Sequence, residues 1–224
     1  MRKALALILA GGLLVGMLSP AHAKPVSVFT DVTGDAGNQD SGVPGADQAG
    51  FDLVGGTIEQ KGANLEWTVE HAAMPASGQP GEGFRFLWHF TVDTKGQYRW
   101  TFKTVDLGKP DAIAGTGTER VGQVYQNVVR LEECSETPSP AVTLVNCSAI
   151  AYYDAVVDPA AKTFTIVSPL KDLKAKKGSV IAGGTHAAGG TSCMVCWVPH
   201  YAERSLTPQS VIDSAGIAKE FKVG

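Results

Sequence analysis

Asp31, Asp35 and Asp40 stand at positions 1, 5 and 10 of the stretch DVTGDAGNQD, and Asp47 and Asp52 follow within a dozen residues. Glycine and small polar residues separate them. Calcium takes six to eight oxygens at flexible angles, from carboxylates, backbone carbonyls and water. Aspartates supply charge on short side chains, and glycines let carbonyls converge. The spacing misses the EF-hand pattern of acids at positions 1, 3, 5 and 12. The chemistry expected here is therefore a structural calcium site of irregular build. The competing reading makes the same aspartates turn formers that bond their own backbone.

Four cysteines are the next candidates: Cys134, Cys147, Cys193 and Cys196. In an exported chain an even count points to disulfides, and four cysteines allow three pairings. The expected bridge is Cys134–Cys147, around SETPSPAVTLVN. Cys193 and Cys196 in CMVCWV would lie on opposite faces of a continuous strand, about 10 Å apart, too far to bond. Either a turn makes that pair local, which is the favoured reading, or both bridges cross to Cys134 and Cys147. Redox chemistry needs a helix N-terminus to activate the first thiol, and no helical pattern follows. Trp197 stands where a c-type haem motif needs histidine, and four-cysteine zinc suits an oxidising compartment poorly.

Catalytic patterns are absent. The chain has no Gly-x-Ser-x-Gly elbow and no His-Glu-x-x-His. Glu132 and Glu133 are adjacent, so on a strand they point apart, and solvated carboxylates are expected. The chain is read as a non-enzyme.

The elements that must position these residues are strands. In FRFLWHFTV, Phe84, Phe86, Trp88, Phe90 and Val92 share one face, and Arg85, Leu87, His89 and Thr91 share the other. DTKG then turns the chain into QYRWTFKTV. FDLVGGTIEQ and LEWTVEH form a similar pair around Lys61–Asn64. RVGQVYQNVVRLEE, SAIAYYDAVVD and TFTIVS follow, with SVIAGG, CWVPHYA and AKEFKV as weaker candidates. One short helix is expected after Thr207, which can cap it ahead of Pro208. Many short strands separated by turn signals predict an all-β antiparallel β-sandwich, immunoglobulin- or jelly-roll-like.

Around this domain the chain carries few other signals. Arg2 and Lys3, the apolar run Ala4–Leu18 and Ala21-His22-Ala23 read as a secretory signal peptide over residues 1–23, leaving one domain over residues 24–224. Without that segment, 17 Lys and Arg face 22 Asp and Glu. An acidic chain with no basic stretch other than KDLKAKK offers nucleic acid no phosphate contacts. No second apolar run is long enough to span a membrane. The expected location is outside the cell, and the oligomeric state is left open.

DVTGDAG…FDLVGGTIEQKGANLEWTVEH resembles the opening of secreted bacterial β-sandwich modules of the DOMON and family-9 carbohydrate-binding type. VVDPAAKTFTIVSPLKDLKAKKGSVI is similar to the hairpin in these modules that ends in a Pro-x-x-x-Leu turn. The resemblance, which extends to the C-terminal module of glucodextranase-like enzymes, covers roughly Val26 to Ile181. It implies a non-catalytic binding module for extracellular or cell-surface polysaccharide. It also implies that the opening loop and the Asp of the next strand lie together at one edge, which makes Asp31, Asp35 and Asp52 the first calcium ligands, with Asp40 beside them. Some DOMON modules hold haem through Met and His, for which His71, Met74 and His89 are the available residues. Ordinary surface positions are the expected reading of all three. A sugar platform needs outward aromatics. Trp197 and Tyr201 are expected to stack on a saccharide ring, with His200 and Arg204 as polar partners. Tyr152 and Tyr153 are further candidates, because alternation turns one of them out. The alternative function is a structural or protein-interaction module without a small ligand.

Overall fold

The computed structural model describes residues 24–36, 48–73, 84–103, 128–137, 144–184, 186–188, 191–199 and 213–224. Its strands are β1 (Val26–Thr30), β2 (Leu53–Lys61), β3 (Asn64–His71), β4 (Phe84–Val92), β5 (Gly96–Lys103), β6 (Val128–Thr137), β7 (Leu144–Asp158), β8 (Thr163–Pro169), β9 (Val180–Gly183), β10 (His186–Ala188), β11 (Thr191–Cys193), β12 (Val195–Pro199), β13 (Asp213–Ala215) and β14 (Phe221–Lys222). Two single-turn 3-10 segments, Gln48–Phe51 and Leu170–Leu173, are the only helical turns among the described residues. The helix expected after Thr207 lies outside them.

The fold is all-β and antiparallel, and one sheet runs through most of it in the order β1-β2-β3-β8-β7-β6-β5-β4-β12-β13, with β9 joining β4 to β14. The two layers are continuous through β7. This 15-residue strand pairs with β6 over Leu144–Asp154 and with β8 over Ala155–Asp158. The sheet thereby wraps into a nearly closed barrel, and its first and last strands, β1 and β13, mark the seam. The tight turn between β4 and β5 takes Asp93 and Thr94 at φ 53° and 58°. Two successive left-handed residues match the twist of a hairpin. The Asp93 carboxylate holds the turn by accepting from the Val180 N–H and the Ser179 hydroxyl, both at 2.9 Å.

The aromatic faces meet inside. Trp67 lies at the centre, with its ring 5.2 Å from Trp88, 5.6 Å from Trp100 and 4.8 Å from Phe90. Its indole N–H donates to Ser168 Oγ at 3.0 Å. This inner row follows the alternation in the sequence. The other face of β4 does not behave as expected. His89 is expected at the surface, yet it and Leu87 are buried, as are Thr101, Arg130 and Glu132 on β5 and β6. Alternation separates two faces but says nothing about which of them meets water, and over residues 86–90 both are buried.

Cys134 and Cys147 sit directly opposite each other on β6 and β7 and form the expected disulfide. Cys196 is disulfide-bonded too, and β11 and β12 are separated by a bend at Met194, the break that a local pair requires. The side chain of Cys193 is outside those described. The Cys134–Cys147 loop spans 13 residues, so replacing both cysteines by serine should cost about 3 kcal/mol by the chain-entropy estimate. Urea melts of the double variant check this.

Candidate metal centre

β1 ends at Thr30, and Asp31 is the first residue past it. The chain then turns at Gly34, whose φ of +95° suits glycine and lets its N–H donate to Asp52 Oδ2 at 2.6 Å. Asp52 sits between the 3-10 turn Gln48–Phe51 and β2, pinned by its own carbonyl, which accepts from the Ala72 N–H at 2.9 Å. The fourth acid comes from the far end of the chain. Asp213 opens β13, accepting the Leu53 N–H through Oδ2 at 2.6 Å and the Ser214 N–H through Oδ1 at 2.7 Å.

Carboxylate oxygens of Asp31, Asp35 and Asp213 all lie within 4.8 Å of one another. Asp52, which reaches the same loop through Gly34, adds its charge to that felt by Asp31. Asp52 and Asp213 are 3% and 6% exposed. Oδ2 of Asp31 and Oδ1 of Asp52 are buried and accept no hydrogen bond. Among the described residues no lysine or arginine pairs with any of the four. Buried like charges without a counter-ion are costly. Burial, followed by the charges of Asp35 and Asp52, pushes the Asp31 carboxyl above its ordinary range against the pull of the Val32 N–H. Burial, with Asp31 and Asp35 next to it, pushes Asp213 up to about 7 despite the bonds from Leu53 and Ser214. A divalent cation removes all of these penalties at once, and an all-oxygen donor set suits calcium or magnesium, with the irregular geometry favouring calcium.

Of the four carboxylates expected from the sequence, Asp31 and Asp35 share this group, and Asp52 lies next to it, held to the same loop by the Gly34 N–H. Asp40 lies outside the described residues. Asp213 was missed, because 160 residues separate it from its bond partner Leu53. The one available signal was a single acid inside the apolar run VIDSA.

The sugar platform needs correction. Trp197 is fully buried, 5.2 Å from Phe51 and 5.5 Å from Phe86, and its indole N–H donates to His71 Nε2 at 3.0 Å. Neither ring face is open to a saccharide, because Phe51, Phe86, Phe102 and Phe164 pack around it. Tyr201, His200 and Arg204 lie outside the described residues. Of the tyrosine pair, Tyr152 points out and is 48% exposed, whereas the Tyr153 hydroxyl turns in and donates to Asp172.

The histidines and glutamates also differ from expectation. His71 and His89 are core residues, each 1% exposed, rather than surface ones, and Met74 lies outside the described residues. His71 uses Nε2 to accept from Trp197, so that nitrogen is not open to haem iron, and its Nδ1 is buried without a partner. Burial lowers its pKa to about 4, against a weaker upward pull from its backbone contact to Lys162. Because the folded value lies below the ordinary one, His71 stabilises the protein fully above about pH 6.5. That contribution is lost as pH falls toward 4, by roughly 3 kcal/mol in all. His71→Gln, which keeps an acceptor for Trp197 but does not titrate, should flatten that part of the stability–pH curve in denaturant melts.

Glu132 is not the solvated carboxylate expected. It is 2% exposed and accepts from Arg99 Nε at 2.5 Å, Arg130 at 2.8 Å and the Thr101 hydroxyl at 2.9 Å. Burial pushes its pKa up, but the two guanidinium charges and the hydrogen bonds outweigh that and hold it below the usual range. Glu133 points the other way, to Lys174 at 2.7 Å. No protein-family model, curated protein or solved structure matches this chain.

Proposed function

We propose that the protein is an exported, non-catalytic binding module, stabilised by calcium, whose ligand class is extracellular carbohydrate. The observation that carries the calcium part is the meeting of Asp31, Asp35 and Asp213 at the barrel seam, with Asp52 next to them and two buried oxygens, Asp31 Oδ2 and Asp52 Oδ1, that accept nothing from the protein. With Trp197 internal, the platform for a sugar ring moves to Tyr152, on the outward face of β7. Tyrosine presents an apolar ring and a polar tip, the combination that suits a pyranose.

A protein partner is the second reading, favoured by Ile150 and Val156, which share that face and are 42% and 66% exposed. Branched aliphatics serve protein contacts better than sugar stacking. Depletion of the protein from solution by a panel of insoluble polysaccharides and cell walls separates the two. Carbohydrate binding predicts selective depletion in calcium that is lost in Tyr152→Ala with an unchanged melt. Depletion that Tyr152→Ala leaves intact, or none with any glycan, contradicts it and favours a protein ligand.

A further inference from the structure

The seam is weakly tied by backbone alone. β1 has five residues and one ladder partner, β2. On its other side the Val28 carbonyl accepts from Ala218 at 2.8 Å and Lys219 at 3.1 Å. β13 has three residues and pairs only with β12. Between these two strand ends no ladder forms among the described residues, and the groups that meet there are the carboxylates of Asp31, just past β1, and Asp213, on β13. Asp213 also receives the N–H of Leu53 at the start of β2. The acids are more than a surface cluster: next to them Asp52, tied to the same loop by the Gly34 N–H, is 3% exposed and its Oδ1 meets no donor.

β1 docks by shape. Phe29 is buried over Gly56, where an added Cβ would lie 2.1 Å from its ring, and its edge meets Trp88 at 5.4 Å. Two buried side chains, Val28 and the Phe29 ring, and a short ladder give a small unit of local stability, the kind that opens well below global unfolding. Closely spaced carboxylates at its end push it off the sheet, and a cation among them reverses the sign of that force.

We infer that the cation is a clasp on β1: its occupancy decides whether the first strand stays on the barrel, while the rest of the sheet keeps its pairing. This rests on the metal site proposed above and adds its consequence. The seam joins strand ends distant in sequence through charge, whereas β3 to β8 are joined by long ladders and a disulfide. Removal of the ion therefore acts locally, and the opened state presents the β2 edge with the notch that Phe29 leaves.

Hydrogen exchange read by mass spectrometry on the full mature chain, in millimolar calcium and in EDTA, tests this, with calcium binding to the same preparation followed by calorimetry. The expected result is exchange at least about tenfold faster in EDTA for amides 26–31, with the β4–β5 hairpin unchanged, a difference of roughly 1.4 kcal/mol in local opening. Calcium binding with unchanged exchange in β1, or with exchange raised equally across β4 and β5, overturns the clasp and leaves the metal site standing. Absence of a binding isotherm overturns both.

Discussion

Asp52→Asn should weaken calcium binding by about a hundredfold, close to 2.7 kcal/mol, with little change in the fold of the metal-free protein. Asparagine keeps an oxygen for the Gly34 N–H, so the turn at Gly34 survives. What is lost is one negative charge and the buried oxygen that no protein donor meets. Ligand charge count is the main lever on calcium affinity in oxygen sites. Because the substitution also relieves repulsion on Asp31, the metal-free variant should melt no lower than the metal-free parent. A turn-forming role for these acids predicts the reverse, with stability falling and no calcium dependence in either protein. Calorimetric titration of calcium into both proteins, paired with melts in EDTA, separates the two.

Glu132→Ala should be the most damaging single substitution in stability, at about 3–5 kcal/mol. It removes the carboxylate shared by Arg99 and Arg130 from a site where Arg130 is 4% exposed. Two guanidinium groups then remain close together in a buried layer, and Thr101 loses its acceptor. Glu132→Gln keeps hydrogen-bonding capacity without the charge and should fall between the parent and the alanine variant. Denaturant midpoints at constant slope measure both. Equal stability of all three would mean that the charges are neutralised without Glu132.

How much of this was legible depended on range. The strands from Phe84 to Lys103 and from Leu53 to His71 follow from alternation and turn residues, which are local properties. That Asp31 and Asp35 come together was legible because one short loop carries both. Asp213 was not, since only tertiary closure of the barrel brings β13 to β1. Trp197 and His89 were placed on the wet side for a related reason. Period-two patterning gives the side of a strand, whereas burial depends on what the neighbouring strands bring. For β4 and β12 those neighbours are β5, β9 and β13. Glu132 shows the same limit in reverse: its acidic pair with Glu133 looked like solvent-facing charge, and only the pairing of β5 with β6 sets Arg99 opposite it.

The melting temperature of the protein in 10 mM calcium against EDTA tests the central claim most directly. With an affinity in the extracellular range, about 0.1 mM, that concentration is about a hundred times the dissociation constant. Binding to the folded state alone then adds roughly 2.7 kcal/mol. For a domain of this size the gain corresponds to a rise of about 5–10 °C. A rise of that order, abolished in Asp213→Asn, is the predicted result. Identical melts in calcium and EDTA would contradict the account.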